Sequence, residues 1–268
     1  MSKASGNKSG LRGPMLRFWQ ALLLLVVFAV WQALVVTNVL PKFFFGEPIK
    51  VLTRAVTWFT TGTIWPHLAT TLLETVLAFV IGATSALGIG LWLALNPTAS
   101  ALTEPYIKAM NSMPRVILAP IFAVWFGLGI WSKVALGITL VFFVVFFNVY
   151  QGIREVSPVV LANTRMLGAS RSQLLRTVYL PSATSWVLSS LHTAVGMAFV
   201  GAVVGEYLGS SKGVGYLILQ AEGVFDVNTV FAGILVLTIF ALLLDGLVGL
   251  VEKRLLVWRP APAGSEAH

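Results

Sequence analysis

An all-α integral membrane protein with six transmembrane helices is predicted by three features of this 268-residue chain. Hydrophobic residues make up 57% and charged residues only 10%, whereas a soluble domain carries about a quarter charged residues. Apolar runs close to the ~20 residues needed to cross a bilayer recur along the chain. Lys and Arg are unevenly shared between the segments that join those runs. Mean hydropathy is +0.87, and a chain of this length filled with spans leaves little room for a soluble enzyme module. The absence of cysteine rules out a disulfide framework, a thiolate nucleophile and a cysteine metal site.

The six runs lie at 18–37, 67–95, 114–130, 132–153, 184–206 and 229–251. Residues 1–17 read as a cytoplasmic tail. The first run is too long for a signal peptide and leads to VTNVLPK rather than a small-residue cleavage site, so an uncleaved helix is expected. Residues 18–66 hold this helix and an outside segment with Pro41, Pro48 and the cluster Phe43-Phe44-Phe45. An interfacial helix is expected there near 48–61. The run at 67–95 exceeds the bilayer and should tilt or protrude. Pro114, Pro120 and the pair Gly127/Gly129 interrupt the third run, while the fourth is uninterrupted. The tail 256–268, with RPAPAGSEAH, has a disordered composition.

Sidedness follows from the cations. With the N-terminus inside, 13 of the 18 Lys and Arg fall in cytoplasmic segments, Lys108 and Arg115 among them. Lys42, Lys50, Arg54, Lys133 and Lys212 fall outside. The positive-inside rule therefore gives an N-in, C-in topology and puts the polar stretch 154–184 in the cytoplasm. The basic clusters follow membrane sidedness, which argues against nucleic-acid binding.

That stretch reads as two short helices hinged at a glycine. Ser157 is placed to cap the first, with Pro158 at its first position, and Gly168 supplies a left-handed stop. Ser170-Arg171-Ser172-Gln173 has the form of a capping box that opens the second. Leu174, Leu175 and Val178 form an apolar stripe, and Pro181 marks an end or a kink. Four arginines (Arg154, Arg165, Arg171, Arg176) flank it. Such a segment is either a docking surface or an ordinary cytoplasmic loop.

Gly168, nine residues and then Val178-x-Leu180-Pro181 resemble the cytoplasmic signature of ABC importer permeases, E-A-A-x3-G-x9-I-x-L-P. The eponymous triplet differs, being Ala162-Asn163-Thr164 here. Leu167-Gly168-Ala169-Ser170 and GEYLGSSKGVGYL at 205–217 are similar to the sulfonate/taurine/nitrate branch. The resemblance spans roughly 65–255. It implies a MetI-like type I importer fold with a permease core at 67–255 and a coupling loop at 154–184, in a bacterial inner membrane. It implies a homodimer, two ATP-binding-cassette ATPase subunits docked at Ala162, Asn163, Thr164, Gly168, Ala169, Ser170, Leu174, Val178, Leu180 and Pro181, and a periplasmic binding protein. ATP and Mg are then expected on the partner ATPase, with no cofactor or metal on this chain. The implied cargo is a small anion such as a sulfonate, taurine or nitrate, with aromatic acids and pyrimidine-type vitamin precursors as alternatives.

Ionisable residues inside spans are functional suspects. Glu74 lies about two turns into the second run, where it can face a water-filled path or pair with a base such as His67. Glu206 and Asp245 lie near span ends and are either functional or interfacial. Asn148, His192 and Met197 are further pathway candidates, or neighbour-bonded packing residues. Ala78, Gly82, Ala86 and Gly90 form a small-residue ridge, as do Gly201, Gly205 and Gly209, suited to helix packing within the subunit or to contact between copies. No P-loop, zinc motif or nucleophile elbow occurs. Two other functions compete: a secondary transporter using Glu74 or Asp245 as coupling acid, and a membrane scaffold without transport.

Overall fold

The computed structural model describes residues 13–255, and every regular element among them is helical. The elements are α1 (Gly13–Val36), α2 (Lys42–Phe45), α3 (Pro48–Thr60), α4 (Trp65–Leu95) and α5 (Pro97–Ser112). A 3-10 turn (Arg115–Leu118) leads into α6 (Ala119–Phe126), followed by α7 (Ile130–Arg154), α8 (Pro158–Met166) and α9 (Arg171–Leu174). A π-helical turn (Leu175–Tyr179) then joins α10 (Leu180–Ser189), α11 (Leu191–Leu208), α12 (Val214–Gly223) and α13 (Val227–Leu255). Of the predicted tails, residues 1–12 and 256–268 lie outside the described residues, while 13–17 form the start of α1.

Four helices, α1, α4, α7 and α13, are long and apolar enough to cross a membrane. They correspond to the first, second, fourth and sixth predicted runs, and the expected interfacial helix is α3. The third run corrects the expectation of a simple span. α5 and the 3-10/α6 segment meet at 86° and cross, if at all, as a broken pair. Pro114 causes the break, because the residue before a proline is driven out of the helical region; Met113 accordingly adopts ψ 136°. The fifth run is also divided. α10 and α11 part at Ser190, leaving His192–Leu208 as an apolar helix shorter than a full span.

The core forms where small residues let backbones approach. Ala78, Gly82, Ala86 and Gly90 are all buried along α4. A Cβ on Gly82 would lie 2.9 Å from Val141 Cβ, and one on Gly90 would lie 3.2 Å from Val149 Cγ1. On the next face, a Cβ on Gly201 would come 2.5 Å from Gly137 Cα. Both ridges are thus consumed by packing of α4, α7 and α11 within one subunit. A second cluster sits toward the other end, where Val51, Ala55, Leu68, Val214, Ala232 and Val236 bring α3, α4, α12 and α13 together. Asp226 opens α13 as its cap: its carboxylate accepts from Thr229 N at 3.1 Å and Thr229 Oγ1 at 2.5 Å.

Candidate functional site

The segment after α7 folds largely as its sequence dictates. Pro158 begins α8, but Ser157 makes no side-chain cap to it, correcting that expectation. Gly168 takes φ +80° with open space around it. Its N–H donates to Arg165 O, and the N–H of Ala169 donates to Thr164 O, closing α8. Ser170 and Gln173 form both bonds of the capping box, at 3.3 and 2.8 Å. Pro181 does not end the second helix. The π-helical turn carries the chain past it into α10, shifting the bonding register where proline's missing N–H would leave a gap.

Outward and inward faces of this segment differ from the expected stripe. Ala162, Asn163, Gly168 and Ser170 are exposed, and Thr164 and Ala169 partly so. Met166 and Leu167 protrude furthest, Leu167 being 87% exposed. Leu174, by contrast, is buried, in a cleft shared with Leu95, Arg165 and Tyr179. Its burial sets it apart from the exposed residues of the turn; Val178 and Leu180 are half-buried beyond it. Continuity with the membrane region comes from α10. Ser182 Oγ donates to Gly152 O on α7 at 2.8 Å, and Gly152 leaves room for Trp186.

Near the opposite end of α4 lies a buried polar network. Glu206 on α11 is fully buried among the helices. Its Oε1 accepts from Thr71 Oγ1 at 2.6 Å and its Oε2 from Gly215 N at 2.7 Å. One side chain thereby ties α4, α11 and the start of α12. Gly213, at φ +109°, lies against that carboxyl, which a Cβ would strike. Glu74 is also buried and is a neighbour of Glu206 and Lys133. It does not pair with His67, as one expectation had it; His67 Nδ1 lies 3.0 Å from Gly213 O. Glu74 Oε2 has no hydrogen-bond partner. Lys133, counted outside by charge distribution, is fully buried. Its ammonium donates to Leu128 O at 2.6 Å and Gly129 O at 3.0 Å. The sequence signal missed was a lysine four residues after Gly129, which the fold packs against Gly205.

The remaining candidates do not converge on either site. Asn148 Nδ2 donates to Val144 O within α7 at 2.8 Å. Met197 is exposed on α11. His192 faces α13, with Nδ1 3.0 Å from Glu252 Oε2 and Nε2 3.9 Å from Asp245 Oδ1. Among the described residues, no group of three or more His, Cys, Asp or Glu is placed to hold a metal ion.

The structure is thus that of an all-helical membrane protein with an exposed helix–glycine–helix beyond one membrane-length helix. The chain belongs to the family of binding-protein-dependent transport system inner membrane components, whose family model matches residues 86–257. It is 31% identical over 92% of its length, and 90% of the relative's, to the putative aliphatic sulfonates transport permease protein SsuC of Bacillus subtilis (strain 168). It is 33% identical, over 91% of each chain, to the riboflavin transport system permease protein RibX of Chloroflexus aurantiacus. In fold it is similar to a chain of the MetNI methionine ABC transporter in an inward-facing form. That match has a TM-score of 0.56 and 19% identity, covering 74% of this chain and 97% of that one. It is therefore an ABC importer permease with sulfonate-type relatives, in keeping with the resemblance carried by the loop.

Proposed function

We propose that this chain is the membrane-spanning subunit of an ATP-driven importer that passes a small anion, such as a sulfonate, taurine or nitrate, into the cytoplasm. Two copies form the pathway, with six crossings each when the bent α5/α6 pair and the α10/α11 pair are each counted as one. Two separate ATPase subunits bind ATP and Mg and engage the 154–184 segments, and a periplasmic binding protein delivers cargo to the opposite face. The observation that carries this reading is the exposed turn at Gly168. It presents Met166 and Leu167 to solvent, and its second helix runs through the π turn into α10 without a loop. Exposed apolar side chains beside a fixed turn suit a partner's cleft. Closure of the ATPases would then move α10 and α11 and alternate access to the pathway.

The test is co-purification in mild detergent with the ATPase co-expressed, comparing wild type with Gly168→Val. A β-branched residue resists a positive φ. The ATPase should therefore be recovered with wild type and lost with Gly168→Val, while membrane insertion is retained. Equal recovery with both proteins would sink the docking model. Transport by the purified chain alone, abolished by an uncoupler and indifferent to ATP, would instead establish the secondary-transporter reading.

A further inference from the structure

Arg115 stands apart from the other cations of this chain. The distribution of charge puts it at the cytoplasmic edge, yet its guanidinium carbon lies 4.5 Å above the ring of Phe143. Phe143 is the fourteenth residue of the 25-residue helix α7, about 20 Å from its start at 1.5 Å per residue. Arg115 therefore sits roughly halfway along a membrane-spanning helix. It follows Pro114 at the 86° break between α5 and α6.

Among the described residues its charge has no counter-ion: the ion pairs there are Lys50–Glu47, Arg54–Asp226, Lys108–Glu104 and those of His192. Arg115 instead donates from Nη2 to Asn111 O at 3.1 Å and to Asn111 Oδ1 at 2.5 Å. Its Nε is buried and unpartnered. The Asn111 contacts and the Phe143 ring fix the position of a planar, permanently charged fork while leaving donors unused. Around it Met110, Met113, Val116 and Ile117 are exposed, so this face is not covered by the chain's own helices. An unneutralised cation at mid-depth in a span is costly and marks a substrate or ion path. Breaks in membrane helices recur at such binding sites.

We propose that Arg115 binds the negatively charged group of the cargo on its way through the membrane, making the α5/α6 break an anion subsite. The guanidinium fork would take an oxyanion through charge-assisted hydrogen bonds, and Phe143 would hold the fork in plane. The inference rests on the importer reading above and adds the residue that selects for charge.

The chain contains no cysteine, so Arg115→Cys installs the permease's single thiol. The complete importer would be reconstituted in vesicles with labelled ethanesulfonate, nitrate and benzoate as probes. Wild type should accumulate at least one. Arg115→Gln and Arg115→Cys should each cut that uptake tenfold or more, with the ATPase still bound and still hydrolysing ATP. Treating Arg115→Cys with 2-aminoethyl methanethiosulfonate, which adds an ammonium, should restore uptake, and methyl methanethiosulfonate should not. Undiminished uptake by Arg115→Gln overturns the assignment. So does loss of the ATPase from both variants, which would make the charge structural, and so does rescue by both reagents or by neither. A wild-type importer that carries none of the three anions overturns it too, and leaves the importer reading standing as long as the ATPase co-purifies.

Discussion

Glu206 receives hydrogen bonds from two other elements, Thr71 of α4 and Gly215 of α12, while Gly213 makes room for its carboxyl. Replacing Glu206 with Leu orphans both donors, at about 1–3 kcal/mol each. Glu206→Gln keeps an acceptor oxygen and should lose less, a ranking that thermal unfolding in detergent reads directly. Gly213→Ala combines a left-handed φ, worth about 1–3 kcal/mol of strain, with a clash at the carboxyl. It should melt well below Gly223→Ala, where a Cβ meets nothing within 4 Å; equal melting would refute the packing of Glu206. Of this network, the two acids were legible in the sequence as charges inside apolar runs. Lys133 was not, because a lysine at the edge of a run looks solvated until the fold turns its ammonium back onto the carbonyls of residues 128 and 129.

Among the elements, α4 and α7 illustrate what periodicity can reveal. A small residue at every fourth position told that one face of α4 meets a backbone closely, and Val141 and Val149 of α7 occupy that face. Gly82→Leu should cost about 1–3 kcal/mol by overpacking, against almost nothing for Gly88→Leu, whose Cβ position is open; a shift in melting temperature measures both. The start of α13 should respond to acid. Burial pushes the Asp226 carboxyl up, but the Thr229 hydroxyl and amide, with Arg54, outweigh this and hold it below the usual carboxylate range. A depressed folded value means stability that is present above that range and lost as pH falls through it. The melting temperature of wild type should therefore fall more between pH 6 and pH 3 than that of Asp226→Asn, and identical slopes would dismiss the cap as a titrating contact. Helix breaks were harder to read than helices. Pro114 and Pro120 announced an interruption, but its angle depends on how α6 packs against α7. Nothing in the apolar run at 184–206 signals the break at Ser190.

On the scale of the whole molecule, hydropathy placed four long helices, and the polar segment between them, where the structure has them. The tertiary proximity of Arg115 to Phe143 lay beyond both, because charge counting assigns sides to loops and has no means of placing a residue at a bend. The predicted sidedness is testable in this cysteine-free chain. Leu167→Cys and Phe44→Cys, both at exposed positions, should react with a membrane-impermeant maleimide from opposite faces of oriented vesicles, the former from inside. Labelling of Leu167→Cys from outside would reverse the proposed topology, and labelling of both from one face would abolish it.

The near-contact of Gly137 with Gly201, and of α4 with α7, removes the clearance that side chains would need to slide past one another. On the importer reading these helices would move together, and the place to bend is Met113–Pro114, where the 86° break lies. Ser190, by contrast, keeps helical bonds on both sides, to Trp186 O and from Ala194 N. If the proposed import cycle holds, a stroke entering at the glycine turn would be taken up at that bend, and Arg115, two residues beyond Met113, would move with it.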